Sequence, residues 1–373
     1  MTSHAPHGRP PLHAVQVLAA SDTATGGPVR TLAAGLTARG VRVTVCAPEE
    51  AERALGFTGT GARHRPLPAR GSRPSALALL RGVCTGADVV HAHGLRPALR
   101  AAFALRGRPV PLVVTWPSTT RPAAAPWRRV LERRAARAAS VVLGASPTVV
   151  DGARASGARD ARLAATPLPT APARPATDPD GERDRHKIRA ELGAMGRPLL
   201  FCAAPLEARA GLLALLDAAR AWRRRDPAPL LLIAGEGPLR PTLTRRIRDE
   251  HLPVRLLGLR SDVPRLVAAA DVALLPAGRE ARPLLAQEAL RAGVPLVAAA
   301  APALAELVVD GAELVPPDDA AALAAAVSRL LYDADRRTAL AARGLARAAD
   351  WPTEDSWVGQ LLSIYDELTG RSA

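Results

Sequence analysis

Glu280-Ala-Arg-Pro-Leu-Leu-Ala-Gln-Glu288, running on into Ala289-Leu-Arg-Ala-Gly-Val-Pro-Leu-Val297, is the stretch on which the reading of this chain turns. Asp271-Val-Ala-Leu-Leu-Pro276 before it and Pro295-Leu-Val-Ala298 after it read as short buried strands. The segment between them is therefore a loop and a crossover helix in a parallel sheet. A helix opening at Pro283 turns its unpaired N–H groups and positive dipole end toward the preceding loop, where an anion can sit. Glu280 lies in that loop and Glu288 on the second helical turn. The arrangement suits a diphosphate with a sugar on one side and a ribose on the other. Acidic pairs on solvated helix faces are common; the position at the carboxyl edge of a sheet distinguishes this one.

A chain of 373 residues exceeds what one core usually holds and suits two domains. Apolar residues make up 48% but aromatics only 3%, so the cores are expected to be built from Ala, Leu and Val. Lys187 is the only lysine, and the net charge of +15 accompanies an excess of Ala, Gly, Pro and Arg. That is the pattern of a GC-rich coding bias, so the charge does not argue for nucleic acid. With no zinc spacing, helix-turn-helix signal or aromatic–basic interleaving, no nucleic-acid partner is expected. A basic surface still favours an anionic membrane face or a phosphorylated substrate.

Cys46, Cys84 and Cys202 are odd in number and scattered among apolar segments. They read as small core residues in a reducing compartment. The chain shows no apolar run of signal-peptide type at its start and none long enough to span a bilayer. A cytoplasmic protein, with access to the inner face of the membrane, is the expectation.

Strand-like runs alternate with helical patterns throughout, the signature of parallel sheets with crossover helices. Strands are expected at 13–20, 41–47, 88–93, 111–116 and 140–145, then at 198–204, 229–234, 254–258, 271–276 and 295–300. Helices are expected at 29–39, 125–138, 187–192, 212–224, 239–250, 263–269, 284–292, 321–331 and 354–368. A Pro-, Asp-, Ala- and Arg-rich stretch without periodicity separates the halves. The domains are then 1–170, a linker at 171–186, 187–352, and a terminal helix at 353–373. The fold class is α/β, two Rossmann-like doubly wound parallel-sheet domains facing a cleft.

In the loop Thr25-Gly-Gly-Pro-Val-Arg30, Gly26 and Gly27 allow close backbone approach to a ligand, with Arg30 beside them; a plain tight turn explains the glycines as well. The loop is not GxGxxG, and no acidic residue ends the second strand, which disfavours a dehydrogenase. His91 and His93 share one face of a strand that ends at Gly94. Without a nearby carboxylate cluster they are not expected to hold a metal. His91 reads as packed and His93 as a contact for a sugar hydroxyl. Gly235-Glu236-Gly237-Pro238 opens a helix after a buried strand and reads equally as a turn or a nucleotide-binding loop. Asp178, Asp180, Asp333 and Asp335 are not at strand ends and form no metal-binding pair. Trp127, Arg128, Arg129, Arg133, Arg134 and Arg137 fall on one helix. It is either an ordinary solvated helix or a surface that docks on acidic lipid.

In their order and spacing these segments resemble the family 4 retaining glycosyltransferases, whose two-Rossmann fold is called GT-B. The resemblance runs from Gly26, Gly27 and Arg30 through Asp88-Val-Val-His-Ala-His93 and Gly235-Glu-Gly-Pro238. It continues through Glu280 and Glu288 to Glu306-Leu-Val-Val-Asp-Gly311. It implies an acceptor-binding first domain, a nucleotide-sugar-binding second domain and a final helix that crosses back to the first. It also implies hexosyl transfer without metal or cofactor from a UDP-, GDP- or ADP-linked sugar to an unidentified acceptor, free or lipid-linked. Glu280, with His93, would serve the donor sugar and Glu288 the ribose hydroxyls. Arg209, Arg282, the loop Gly235, Glu236 and Gly237, and the helix start at Pro283 and Leu284 would complete the donor site.

The departures from the family pattern bear on the same pocket. Ala204 stands where the family has an arginine, Arg209 where it has a lysine, and Ala203 where it has a glycine. Thr115-Trp-Pro117 lacks a sugar-contacting histidine, Ala281-Arg282-Pro283 replaces a Gly-Phe-Gly-like stretch, and Thr166-Pro-Leu-Pro169 replaces Pro-Asn-Gly. Losing a charge-assisted contact to the leaving group costs about 2–4 kcal/mol of transition-state stabilisation. Arg282 is placed to supply a substitute charge. The alternative reading is a non-catalytic scaffold of the same fold that binds a nucleotide, a lipid phosphate or a protein partner. A hydrolase or epimerase on this fold lacks an identifiable acid–base pair.

Overall fold

The computed structural model describes residues 10–19, 23–68, 73–116, 126–164, 167, 179–277 and 283–371; the side chains of 23–25, 73–75, 179 and 209 also lie outside that description. The chain divides into two compact units, 1–169 with 352–373, and 170–351.

The first unit alternates strand and helix in the order β1 (His13–Val17), α1 (Thr23–Ala38), β2 (Arg42–Ala47), α2 (Glu49–Leu55), β3 (Arg63–Pro66), α3 (Arg73–Val83) and β4 (Val89–His93). It continues through α4 (Leu95–Ala104), β5 (Leu112–Thr115), α5 (Pro126–Ala138), β6 (Val141–Gly144), α6 (Pro147–Ala155) and β7 (Ala161–Leu163). The sheet runs β3-β2-β1-β4-β5-β6-β7, with every pairing parallel. Helices cover both faces, which is why β4 and β6 are buried at every residue and why β6 reads as a continuous apolar run instead of an alternating one. The connections leave β1 and β4 toward opposite edges. Their carboxyl ends therefore flank a switch point, the usual place for a ligand in such sheets.

In the second unit α7 (Pro179–Glu191), β8 (Leu199–Ala203), α8 (Leu212–Trp222), β9 (Leu230–Ala234), α9 (Arg240–Asp249), β10 (Val254–Gly258), α10 (Val263–Ala269) and β11 (Val272–Leu275) come first. After these come α11 (Leu284–Arg291), β12 (Leu296–Ala299), α12 (Pro302–Val308), β13 (Ala312–Val315), α13 (Ala320–Tyr332) and α14 (Ala334–Ala349). The parallel sheet is ordered β10-β9-β8-β11-β12-β13, with its own switch point between β8 and β11. Asp319 and Asp333 cap α13 and α14 by accepting the N–H of Ala322 and Arg336, both at 2.8 Å. The cores are built from Leu, Ala and Val around Phe201 and Trp222. Cys46, Cys84 and Cys202 are free and buried, and burial pushes their thiols up to about 12, 11 and 12.

The last helix, α15 (Glu354–Thr369), belongs to the first unit. Thr353 caps it, and Trp357, Val358, Leu361, Ile364 and Tyr365 form the stripe it buries against α1 and the sheet. Arg39 pairs with Asp355, Arg162 with Glu367 at 2.6 Å, and Arg371 with Asp88 at 3.2 Å.

Three expectations need correction. The stretch carrying Gly26, Gly27 and Arg30 is not a loop: α1 already begins at Thr23. A Cβ added at Gly26 would lie 2.2 Å from Leu55 Cδ1, so this buried glycine lets α2 approach α1. The linker does not extend to 186, because α7 begins at Pro179. Proline at the helix start with Asp180 and Glu182 in the first turn favours helix there. Arg185 and Arg189 then anchor α7 to Asp271, at 2.7 and 3.0 Å. Finally, β3, β7 and β13 are strands where none was expected.

Candidate functional site

At the switch point of the second unit the loops after β8 and β9 are held against each other by backbone bonds. Ala204 N–H donates to Ala234 O at 3.0 Å, Leu206 N–H to Glu236 O at 3.0 Å, and Leu239 N–H to Leu206 O at 2.9 Å. This closeness requires glycine twice. A Cβ at Gly235 would lie 2.0 Å from Ala204 O, and one at Gly237 would lie 2.6 Å from Leu206 O. On the other flank a Cβ at Gly211 would lie 2.4 Å from Pro276 O, so the short turn that carries Arg209 abuts the end of β11. Glu236 is exposed and pairs with Arg240 at 2.8 Å.

Glu280 and Arg282 lie outside the described residues, as does the side chain of Arg209. Pro283, buried, is the N-cap of α11 and offers no side-chain cap; Leu284, exposed, is the first helical residue. The first bond of the helix among the described residues runs from Gln287 N–H to Pro283 O at 3.2 Å, so the N–H groups of 284–286 have no partner within the helix itself. One turn in, Glu288 is only 3% exposed. A carboxyl this deeply enclosed beside a sheet edge is not a solvated surface group.

In the first unit, β1 and β4 bring a second polar group together at their switch point. His93, the last residue of β4, is 8% exposed, and its Nε2 lies 2.9 Å from Gln16 Oε1. Gln16 Nε2–H donates to Tyr365 Oη at 3.2 Å. Tyr365 Oη lies 2.7 Å from His91 Nδ1, and His91 Nε2 lies 2.8 Å from Thr115 Oγ1. One proton assignment satisfies the whole set. His93 Nε2–H donates to Gln16, Tyr365 O–H donates to His91 Nδ1, and His91 Nε2–H donates to Thr115. Both imidazoles are then neutral, in accord with burial, which holds His93 down at about 3 and His91 well below its ordinary value. The rings stand 4.2 Å apart, so both histidines keep to one face of the strand. Gln16 and Tyr365 escaped the sequence reading; the only available signal was a polar residue inside each apolar stripe.

Among the described residues no three His, Cys, Asp or Glu side chains gather as metal ligands, and no helix is long and apolar enough to cross a membrane. Asp333 is a helix cap and Asp335 a first-turn residue. A cavity of about 450 Å³ between α7 and α10, lined by Asp184, Arg185, Ile188 and Arg265 among others, includes none of the candidate residues. Its charges are matched by pairing of Arg265 with Asp184 and of Arg185 with Asp271.

Residues 184–347 match the family of group 1 glycosyl transferases, and residues 26–169 match the glycosyl transferase 4-like domain. A GDP-mannose-dependent alpha-(1-6)-phosphatidylinositol monomannoside mannosyltransferase of Mycolicibacterium smegmatis is 33% identical over 204 residues, 50% of this chain and 53% of that protein. An alpha-D-kanosaminyltransferase of Streptomyces kanamyceticus is 29% identical over 197 residues, 51% of each. The chain thus spans about half the length of these curated relatives. The Anabaena HepE protein in complex with UDP has the same fold, with a TM-score of 0.81 at 18% identity, covering 95% of this chain and 100% of that one. A glycosyltransferase from Rickettsia africae gives 0.80 at 15%, covering 97% and 100%. With two parallel-sheet units of GT-B type and a family match in each, the chain belongs to the glycosyltransferase family it resembles, the group 1 glycosyl transferases with a 4-like first domain.

Proposed function

We propose that this protein is a retaining, metal-independent glycosyltransferase that takes a sugar from a nucleotide-diphosphate donor. The observation that carries the reading is the switch point of the second unit. There the start of α11, where Pro283 offers no side-chain cap, and the enclosed Glu288 adjoin a sheet edge whose loops require glycine at 235 and 237. The N–H groups at a helix start suit a diphosphate. A carboxylate one turn in suits a pair of ribose hydroxyls, and Glu280 then falls to the donor sugar.

In the proposed reaction the bond from the anomeric carbon to the diphosphate loosens to an oxocarbenium-like state. The acceptor oxygen attacks the same face, and its proton passes to the departing diphosphate oxygen. Arg209, Arg282 and the start of α11 hold the developing charge, so no protein nucleophile takes part. His93, whose imidazole burial keeps in its neutral form, serves as a hydrogen-bonding group for a sugar hydroxyl. GDP and UDP, named for the mannosyltransferase relative and for the HepE complex, come first among donors. The phosphatidylinositol mannoside named for that relative supports a lipid-linked acceptor and work at the inner membrane face.

Ala204 favours one other reading, a binding scaffold that has lost transfer, because a cation is missing from the edge where the leaving group would sit. A thermal-shift screen with UDP, GDP, ADP and their sugars separates the two. Stabilisation by one nucleotide and its sugar, with release of the nucleoside diphosphate from that sugar donor on incubation, supports the enzyme. No shift with any of them leaves the scaffold.

A further inference from the structure

We infer that the first unit docks on an anionic lipid surface through the N-terminal end of α5. The inward stripe of this helix is ordinary, with Ala135 and Ala136 buried. The outward stripe is not. Trp127 is 66% exposed and Val130, one turn on, is 47% exposed, although neither gains anything from water. The rest of that face is cationic. Arg129, Arg133 and Arg134 are exposed and have no ion-pair partner among the described residues. The single acid of the helix, Glu132, is engaged by Arg128 at 2.8 Å on the half-buried flank. Arg96 is exposed at the start of the neighbouring α4, which follows β4 and so opens at the same edge of the sheet. An aromatic and aliphatic tip ringed by guanidinium groups fits the boundary between headgroups and acyl chains, with the phosphates outside it.

Placement makes the surface useful. Because β5 and β6 are parallel, α5 must run from the carboxyl edge of the sheet back to its amino edge. Trp127 and Val130 therefore lie at the carboxyl-edge end, the edge at which β4 closes with His93 and β5 with Thr115. A lipid-anchored acceptor would be met at the face where the first unit presents its site. The purpose of docking rests on the transferase reading; the docking itself does not.

The test uses the full chain and vesicles of phosphatidylcholine with or without phosphatidylglycerol, some carrying brominated acyl chains. Of the five tryptophans, Trp127 is the one largely exposed, so bromine quenching reports on it. Partition should be at least about tenfold tighter with the anionic lipid and should fade with salt. The triple change Arg129→Gln, Arg133→Gln, Arg134→Gln should reduce it about tenfold while leaving the thermal shift with nucleotide unchanged. Trp127→Ser should remove the quenching. Equal partition to neutral and anionic vesicles, undiminished binding by the triple variant, or quenching that survives Trp127→Ser would overturn the proposal. So would arginine-dependent binding to heparin with no vesicle binding, which would point to an acidic protein partner. No donor or acceptor is needed, so failed docking and failed transfer are separate results.

Discussion

Tyr365 Oη lies 2.7 Å from Nδ1 of His91, a residue 274 positions earlier in the chain. Their rings meet edge to face, and both side chains are enclosed by the core of the first unit. The same hydroxyl accepts from Gln16, whose carbonyl in turn faces His93. The final helix is thus joined to β4, the central strand of the first sheet, and to its neighbour β1 by a buried polar contact as well as by apolar packing. Buried polar groups of this kind contribute mainly when every member is satisfied.

Tyr365→Phe keeps the ring and removes the hydroxyl, which leaves His91 Nδ1 without its donor and the Gln16 amide without its acceptor. The expected loss is about 1–3 kcal/mol of stability in the first unit. Urea unfolding should show it. Hydrogen exchange should quicken in α15 and β4 while β8 and β11 stay protected. A loss confined to the second unit, or none at all, would contradict the arrangement.

Acid should attack the same place. The unfolded chain takes up protons on His91 and His93 near their ordinary value of about 6.5, whereas burial keeps the folded values lower. Their contribution is therefore fully present above about pH 6.5. It declines as the pH falls toward about 3, by up to about 1.4 kcal/mol per pH unit for each histidine. Melting temperature measured from pH 7 to pH 5 should drop, and the double change His91→Asn, His93→Gln should flatten the slope even though it lowers the starting value. A wild-type curve flat over that window would show that the pair takes up its protons without unfolding.

The parts of the fold visible in the sequence are those whose physics is local. Long apolar runs such as Leu230–Ala234 can hardly be anything but buried strands, and β10 and α10 have the expected bounds. Arg63–Pro66 is a strand because β2 supplies a partner for its backbone at the sheet edge, and its own residues are charged and largely exposed. Gly26, Gly27 and Pro28 argue against helix on propensity, yet α1 includes them, and the Leu55 side chain of α2 fills the space that a Cβ at Gly26 would take. Glu288 could be read from its place after a strand. The Gln16–Tyr365–His91 contact could not, since nothing in the sequence says which residue of the last helix meets which strand.

Gly235→Ala tests the knitted loops. A methyl group 2.0 Å from Ala204 O cannot be accommodated without moving the β8 loop, and the backbone there has φ of +143°. A destabilisation of about 1–3 kcal/mol is expected, together with loss of the nucleotide-induced thermal shift. If nucleotide binding persists at wild-type strength, the loop after β9 is only a turn.

Arg209 is expected to be the principal side-chain cation on the diphosphate, since Ala204 offers none. Arg209→Ala should weaken a nucleoside diphosphate by about 1.5–3 kcal/mol and barely affect the free nucleoside. Titration calorimetry with both ligands reads the difference. The complementary change, Ala204→Arg, should raise turnover if the edge can still hold two cations. Unchanged diphosphate affinity in Arg209→Ala would reduce that residue to a solvated surface group.

The two glutamates should separate by what they touch. Glu288 sits on a formed helix, 3% exposed, where it can serve the nucleotide whether or not a sugar is attached. Glu280 precedes the helix and is assigned to the sugar. Glu288→Ala should therefore weaken nucleoside diphosphate and nucleotide-sugar alike, by about tenfold or more, as expected when a charged partner of two hydroxyls is lost. Glu280→Ala should leave nucleoside diphosphate affinity within about twofold and instead lower kcat by about a hundredfold or more, an interaction made in the transition state being lost. Calorimetry with the diphosphate, beside steady-state rates with the sugar donor identified by thermal shift, gives both readings for each variant. Equal loss of diphosphate affinity in the two variants would defeat the division of roles.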